Sequence, residues 1–214
     1  PAFRRTLDPD ALAQYLLLEY VPTPRSIYAG LHKLPPGHYL VLRDGQVTVR
    51  RYWHPPPVDL ASRPDSAWIE ELDDLLASAV EEELVSEVPL GSLLSGGIDS
   101  STVTWYVTQA RERPRTFSIR FDEPSFDESP HFRMVARRLE TDHQEWQVDA
   151  GRLDELLTDV LGFLDEPLAD SSLLPTFALS RLVRQAGTTV VLSGDGGDEL
   201  LAGYPTYLAQ QVAE

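Results

Sequence analysis

The chain has no cysteine among its 214 residues, which excludes a disulfide, a thiolate-held zinc and a cysteine nucleophile anywhere within it. A reducing compartment suits such a composition, and the cytoplasm is the expected location. No stretch approaches the ~18 uninterrupted apolar residues of a membrane span. The opening at Pro1 shows neither an initiator Met nor the basic-then-apolar pattern of a signal region, so the chain is expected to be a piece of something longer. Positive charge is scarce: 18 Lys and Arg against 34 Asp and Glu leave a net charge of -16. Phosphate backbones and anionic lipid are repelled by such a surface, so neither nucleic acid nor a membrane is an expected partner.

What is present is the composition of a globular protein, 42% apolar and 24% charged, long enough to bury a substantial core. Ten of the 17 prolines fall at or before Pro64, in Val21-Pro22-Thr23-Pro24, Leu34-Pro35-Pro36-Gly37 and Pro55-Pro56-Pro57 among others, and these read as turns and a linker. Between them Asp10 to Tyr20 reads as a helix, with Leu12, Tyr15, Leu16 and Glu19 at helical spacing. His38–Leu42 and Gln46–Tyr52, separated by Asp44-Gly45, read as a β-hairpin with a two-residue turn. A boundary is expected between residues 57 and 58, with part of an α+β domain before it.

After Pro64 the pattern becomes regular. A helix opens at Asp65 or Ser66 with the stripe Ile69, Leu72, Leu75/Leu76, Ala79/Val80, Glu83/Leu84, its other face acidic and read as solvated. Then strands are expected at Leu90–Leu94, Arg115–Phe121, His143–Val148 and Thr188–Leu192, alternating with helices at Ser100–Arg111, Glu128–Glu140, Arg152–Leu164 and Pro175–Gln185. This alternation is the signature of an α/β fold, a parallel twisted sheet with helices on both faces, whose ligands bind at the carboxyl ends of the strands.

Two strands end in unusual loops. Ser95-Gly96-Gly97-Ile98-Asp99-Ser100-Ser101 follows Leu93-Leu94 and runs into a helix, so free amides and hydroxyls converge at a positive helix end, a cradle for phosphate. A capped strand-to-helix turn is the plainer alternative. The loop lacks the Gly-Lys-Ser/Thr of a P-loop, so phosphate held there requires a metal. Ser193-Gly194-Asp195-Gly196-Gly197-Asp198-Glu199 supplies carboxylates suited to Mg²⁺, though a surface turn is again the alternative. Placed on neighbouring strands, the two loops set Asp99 and Asp198 across one crevice. The five histidines show no metal-ligand spacing, and all four tryptophans are expected in the core.

The first loop resembles the pyrophosphate-loop signature of the ATP pyrophosphatases. The second, Val191 to Glu199 followed by Gly203-Tyr204, resembles the glutamine-hydrolysing asparagine synthetases, as do Phe126-Asp127-Glu128-Ser129, His143 and Asp165-Glu166-Pro167-Leu168-Ala169-Asp170-Ser171-Ser172. Tyr20-Val21-Pro22-Thr23-Pro24, Lys33-Leu34-Pro35-Pro36-Gly37-His38 and Tyr52-Trp53 resemble the end of that family's amino-terminal, Ntn-type glutaminase domain. Leu200-Leu201-Ala202 departs from the more usual Leu-Phe-Gly. The family's nucleophilic cysteine and a charge-neutralising lysine beyond the second motif are not among these residues.

The resemblance implies a synthetase domain from residue 58 onward. Its cofactors would be ATP and Mg²⁺, its other substrates aspartate and glutamine or ammonia, its assembly a homodimer. Asp99 and Asp198 would bind the metal; Ser95, Gly96, Gly97, Ser100, Ser101 and Ser193 would hold the nucleotide phosphates; Leu93, Ile119 and Gly194 would flank adenine. Asp195 would shape the carboxylate substrate site or assist proton transfer, and Asp170, Ser171, Ser172 and Glu199 would face the amino-acid substrate. Its products would be AMP, pyrophosphate and asparagine by way of an acyl-adenylate. An amidotransferase acting on another carboxylate, or a nucleotide-binding domain without catalysis, are the alternatives.

Overall fold

A computed structural model describes residues 4–57, 62–122, 127–148 and 153–213. The expected boundary at residues 57 and 58, the start of a helix at Arg152, and Phe126 of one motif fall at or outside these limits. The described chain separates into two compact units, residues 1–62 with 158–173, and residues 63–157 with 174–214.

In the first unit, helix α1 (Pro9–Leu18) begins where Asp8 accepts hydrogen bonds from the amides of Asp10 and Ala11, with a proline at the first helical position. This N-cap starts the helix ahead of the expected Asp10. Ala11 is fully buried with Val21 and Ile27, and Tyr15 packs beside them, whereas Leu16 is 75% exposed. The inward stripe is therefore Ala11–Tyr15, one residue out of register with the leucines that the sequence suggests. Strands β1 (His38–Arg43) and β2 (Gln46–Arg51) pair antiparallel, with Arg43 opposite Gln46. Asp44 and Gly45 both take positive φ, 52° and 75°, the tight two-residue turn expected of Asp-Gly. The segment from 158 to 173 joins this unit through Glu166. Its carboxylate accepts from the amide of Ile27 and from Lys33, which also donates to the carbonyl of Val21.

The second unit opens with α2 (Asp65–Glu83) and continues through β3 (Leu90–Leu93), α3 (Ile98–Ala110), β4 (Arg115–Phe121), α4 (Ser129–Arg138) and β5 (Asp142–Val148). Helix α5 (Leu153–Phe163) leads across to the first unit. Helix α6 (Leu173–Gln185) leads back, followed by β6 (Val190–Leu192), α7 (Gly197–Leu201) and α8 (Pro205–Ala213). The four strands form one parallel sheet in the order β5-β4-β3-β6, flanked by helices, so the expected α/β class holds.

Helix α2 buries only the end of its apolar stripe. Leu76, Val80 and Leu84 pack with Tyr106 and Val107 of α3, while Ile69 and Leu75 stay more than 60% exposed. Its acidic face is not wholly solvated either, because Asp73 accepts a 2.6 Å hydrogen bond from the Tyr106 hydroxyl. The tryptophans depart from a core placement as well: Trp53, Trp68 and Trp105 are exposed. Arg63 lies over the Trp68 ring at 4.4 Å. Trp105 sits beside, not within, the inward stripe Ser100, Thr104 and Val107. Trp146, half-buried, stacks on the fully buried Phe117 with ring centres 5.7 Å apart.

Candidate functional site

The centre of the sheet is polar, and that polarity fixes where β3 ends. Ser92 of β3 shares a 3.0 Å hydrogen bond with Thr104 of α3, which in turn donates to the carbonyl of Ser100. Ser118 of β4 donates to the carbonyl of Leu94, and the Leu94 amide donates to Phe117. The side chains of Ser92, Thr104 and Ser118 are buried, so each would be costly if left unpaired. The chain therefore leaves β3 at Ser95 held on two sides.

The loop that follows is organised by its own serines. The hydroxyls of Ser95 and Ser100 lie 2.8 Å apart, the Ser95 amide donates to Ser100 Oγ, and the Gly97 amide donates to Ser95 Oγ. Gly96 has φ +85° and presses on the first turn of α4, where a Cβ would come 2.5 Å from the Phe132 nitrogen. Only glycine fits both demands. Helix α3 begins at Ile98, two residues before the expected Ser100, which puts Asp99 in its first turn with the helix amides. A carboxylate there is stabilised by the helix dipole. Ser101 follows with its hydroxyl buried and without a hydrogen-bond partner among the described residues.

The second loop leaves β6, the strand paired directly with β3, with Leu90 opposite Val190 and Ser92 opposite Leu192. About a hundred residues of sequence separate the two motifs, and the sheet sets them side by side. The approach is close. A Cβ on Gly194 would lie 2.6 Å from the Ser100 nitrogen, and one on Gly197 would lie 2.6 Å from the Asp99 carboxylate. Ser193 donates to Asp195 at 2.9 Å. From Gly197 the loop turns into the short helix α7, so Asp198 and Glu199 begin a helix where an open glycine-rich turn was expected. Glu199 accepts from Tyr204 at 2.9 Å, which holds the Tyr204 phenol above its usual range.

The loops open on a cleft of about 810 Å³ at the carboxyl ends of β3, β4 and β6. Ten of the sequence-derived candidates line it: Leu93, Ser95, Gly97, Asp99, Ser100, Ile119, Ser193, Gly194, Asp195 and Asp198. Gly96, Ser101 and Glu199 do not. Asp170, Ser171 and Ser172 belong to the first unit. There Asp170 accepts from the Ser172 amide at 2.8 Å, which holds its carboxyl below the usual range. The cleft also has walls that no motif announced. Pro175, Thr176 and Leu179 come from the first turns of α6, Phe121 from the end of β4, and Glu128 from the N-cap of α4. The α6 residues sit at i, i+1 and i+4, one face of a helix, a signal present in the sequence but indistinguishable there from ordinary core packing.

The charge of this cleft is one-sided. Asp99, Glu128, Asp195 and Asp198 line it, and no Lys or Arg does among the described residues. Among those residues neither Asp99 nor Asp198 forms an ion pair, and no cluster of three or more metal-ligating side chains occurs. Hard oxygen donors in this number suit Mg²⁺, which takes one or two carboxylates and fills its remaining positions with water and substrate phosphate.

Two family models match the chain. Residues 71–214 match the family described as asparagine synthase, and residues 1–53 match the glutamine amidotransferase domain family. A protein of Methanocaldococcus jannaschii named for glutamine-hydrolysing asparagine synthetase is 36% identical over 208 residues, 96% of this chain and 40% of its own length. Asparagine synthetase [glutamine-hydrolyzing] 1 of Bacillus subtilis is 30% identical over 202 residues, 94% of this chain and 32% of its own. Among solved structures the NH3-dependent NAD synthetase of Campylobacter jejuni aligns at a TM-score of 0.44 and 16% identity, over 63% of this chain and 60% of that one. The chain thus spans less than half the length of these curated relatives. With two thirds of its residues matched to one family and nearly all of them aligned to that family's named members, the chain belongs to the asparagine synthase family.

Proposed function

We propose that this chain carries the ATP-binding half of a glutamine-dependent amide ligase that activates the side-chain carboxylate of aspartate as an acyl-adenylate and converts it to asparagine. The observation that carries this reading is the pairing of β3 with β6, which sets the serine-glycine loop and the carboxylate loop on one cleft.

In this reading the hydroxyls of Ser95 and Ser100 and the first turn of α3 bind the triphosphate, while Leu93, Ile119 and Gly194 take the adenine. Asp99 and Asp198 would hold Mg²⁺, which when bound would supply the positive charge that the cleft lacks and stabilise the leaving pyrophosphate. An oxygen of the aspartate carboxylate attacks the α-phosphorus as the bond to pyrophosphate breaks. Ammonia released from glutamine then attacks the acyl carbon, AMP departs, and Asp195 accepts the proton lost from nitrogen. Ser193, which donates to Asp195, keeps that carboxylate oriented. The protein contributes alignment and charge placement, as in other transfers at phosphorus. Glu199, which follows Asp198 in the first turn of α7, binds the amino acid.

The test is a nucleotide balance on the full-length enzyme, supplied with aspartate, ammonium, ATP and Mg²⁺. AMP and pyrophosphate in equal amounts with asparagine are expected. Aspartate-dependent ADP and phosphate would overturn the adenylate route. Amidation of another carboxylate in place of aspartate would overturn the acceptor alone.

A further inference from the structure

The parallel sheet has a second concavity at its other end, where β4 and β5 begin. It has a volume of about 450 Å³ and is lined by Arg113, Arg133, Ala136, Arg137, Glu140, Thr141 and His143. Nothing in the ligase reading uses it. Arg113 precedes β4, Thr141 precedes β5, and the remaining guanidiniums come from α4, so the site is separated from the cleft by the length of the strands.

Its charge runs against that of the protein. Three guanidiniums face one carboxylate in a chain of net charge -16. The Arg133 fork is already engaged by both oxygens of Glu145, at 2.6 Å through Nε. Arg113 and Arg137 make no ion pair among the described residues, and they remain as uncompensated charge. Arg113 also holds φ +46° immediately before Pro114, a conformation that costs an L-residue about 1–2 kcal/mol. Such strain persists where the surrounding structure imposes it, and it recurs at binding sites.

The second observation is His143. Its Nε2 is buried and has no hydrogen-bond partner among the described residues. Its Nδ1 lies 2.9 Å from Thr116 Oγ1, which lies 2.8 Å from Thr141 Oγ1. Burial lowers the imidazole pKa, opposed by Glu145, so the ring is neutral at pH 7. Thr116 has one proton to give. The neutral ring carries its proton on Nε2 when Thr116 donates to Nδ1, and on Nδ1 when the ring donates to Thr116. This chain of hydroxyls holds the ring in place as part of the pocket wall, with the unpaired Nε2 out of reach of solvent.

We infer that this pocket binds a small oxyanion, phosphoryl or carboxylate, with Arg113 and Arg137 supplying the charge and the ring of His143 forming one wall. Guanidinium groups suit such planar or tetrahedral oxygens, and the volume is that of a small-molecule site. The net charge of the chain disfavours any anion held without a specific cradle, so saturable binding is informative.

The test uses the chain itself and a probe local to the pocket, the side-chain ¹⁵N signals of His143. Inorganic phosphate and succinate are titrated separately at constant pH. A saturable shift of Nε2 with half-saturation of about 1 mM is expected for at least one of them, weakened about tenfold or more in Arg113→Ala/Arg137→Ala. Response to phosphate alone assigns a phosphoryl ligand, response to succinate alone a dicarboxylate, and response to both the general class. If the double variant does not fold, Arg137→Gln, a change at an exposed position on α4, carries the comparison. No shift with either anion up to about 50 mM, or a shift that survives loss of the arginines, overturns the inference. Anion binding in the cleft leaves this readout unmoved, so the result is separate from that of the ligase assay.

Discussion

Replacing Gly194 by alanine tests the meeting of the two loops with one methyl group. The backbone at Gly194 is not in the left-handed region, so the change adds bulk without backbone strain. The new carbon would stand 2.6 Å from the Ser100 nitrogen, 2.8 Å from the Asp99 carbonyl carbon and 2.9 Å from the Asp99 Cβ. To reach ordinary van der Waals distance the loops must part by roughly 0.8 Å. Two of the three neighbours are backbone atoms of the first turn of α3, and no side-chain rotation relieves them. Overpacking of this kind costs about 1–3 kcal/mol, and a rigid neighbour places Gly194→Ala toward the upper end. The same displacement draws Asp195 and Asp198 away from Asp99. Urea denaturation should show the loss of stability, and calorimetry with ATP and Mg²⁺ should show affinity reduced by about tenfold or more, ~1.4 kcal/mol. Wild-type stability together with wild-type affinity would mean that the loops do not touch, and the shared cleft would fall with that contact.

Two further changes probe packing and charge away from the cleft. Gly162 is exposed in the last turn of α5, and a Cβ added there would meet nothing within 4 Å. With helical surroundings and free space, Gly162→Ala should raise stability by up to ~1 kcal/mol; a loss in urea denaturation would refute this. Tyr106 is pushed up to about 12 from 10.0, first by its hydrogen bond to Asp73 and then by burial. A phenol whose folded pKa is raised stabilises the fold fully below pH 10.0 and loses that contribution as pH climbs toward 12. Stability measured from about pH 8 to about pH 11 should therefore fall at the alkaline end, and Tyr106→Phe should remove that fall; an unchanged alkaline slope in the variant would refute the assignment.

Much of this architecture is legible in sequence because it rests on local signals. Asp44-Gly45 dictates its hairpin turn, and the three apolar runs after residue 89, with the extended His143–Val148, satisfy their backbones as strands of one sheet. The strand order is not local, yet it decides the site: nothing in residues 90–94 says that Val190–Leu192 will pair with them. The motifs had to supply that expectation, since Asp99 and Asp198 can share a cation only when the two loops meet. Register is where reading by periodicity fails. In α1 the apolar residues Leu12 and Leu16 fit a helical stripe as well as Ala11 and Tyr15 do, and only the partners Val21 and Ile27 choose between them. In α2 the stripe runs along the helix, but only Leu76, Val80 and Leu84 find partners in Tyr106 and Val107 of α3. The tryptophans illustrate the same limit, since a large apolar ring predicts burial only when its helix face meets a neighbour.

The polarity of the sheet centre then acquires a reason. A purely aliphatic β3–β4 pair would bury more apolar surface than Ser92, Thr116 and Ser118 do. The hydroxyls instead form directional bonds, and two of those bonds end on the backbone around the phosphate-loop candidate: Ser118 on the Leu94 carbonyl, and Thr104 on the Ser100 carbonyl. Hydrophobic contact would hold that loop near its place, while hydrogen bonds fix its direction. A cleft lined by four carboxylates and no base among the described residues depends on such fixing. Displacement of Asp99 by an ångström toward Gly197 would bring its carboxylate into the backbone of the second loop, and displacement the other way would leave a cation with one carboxylate where two can share it. The buried serines and threonines of β3, β4 and α3 thus do for the geometry of the acidic cleft what apolar packing alone cannot.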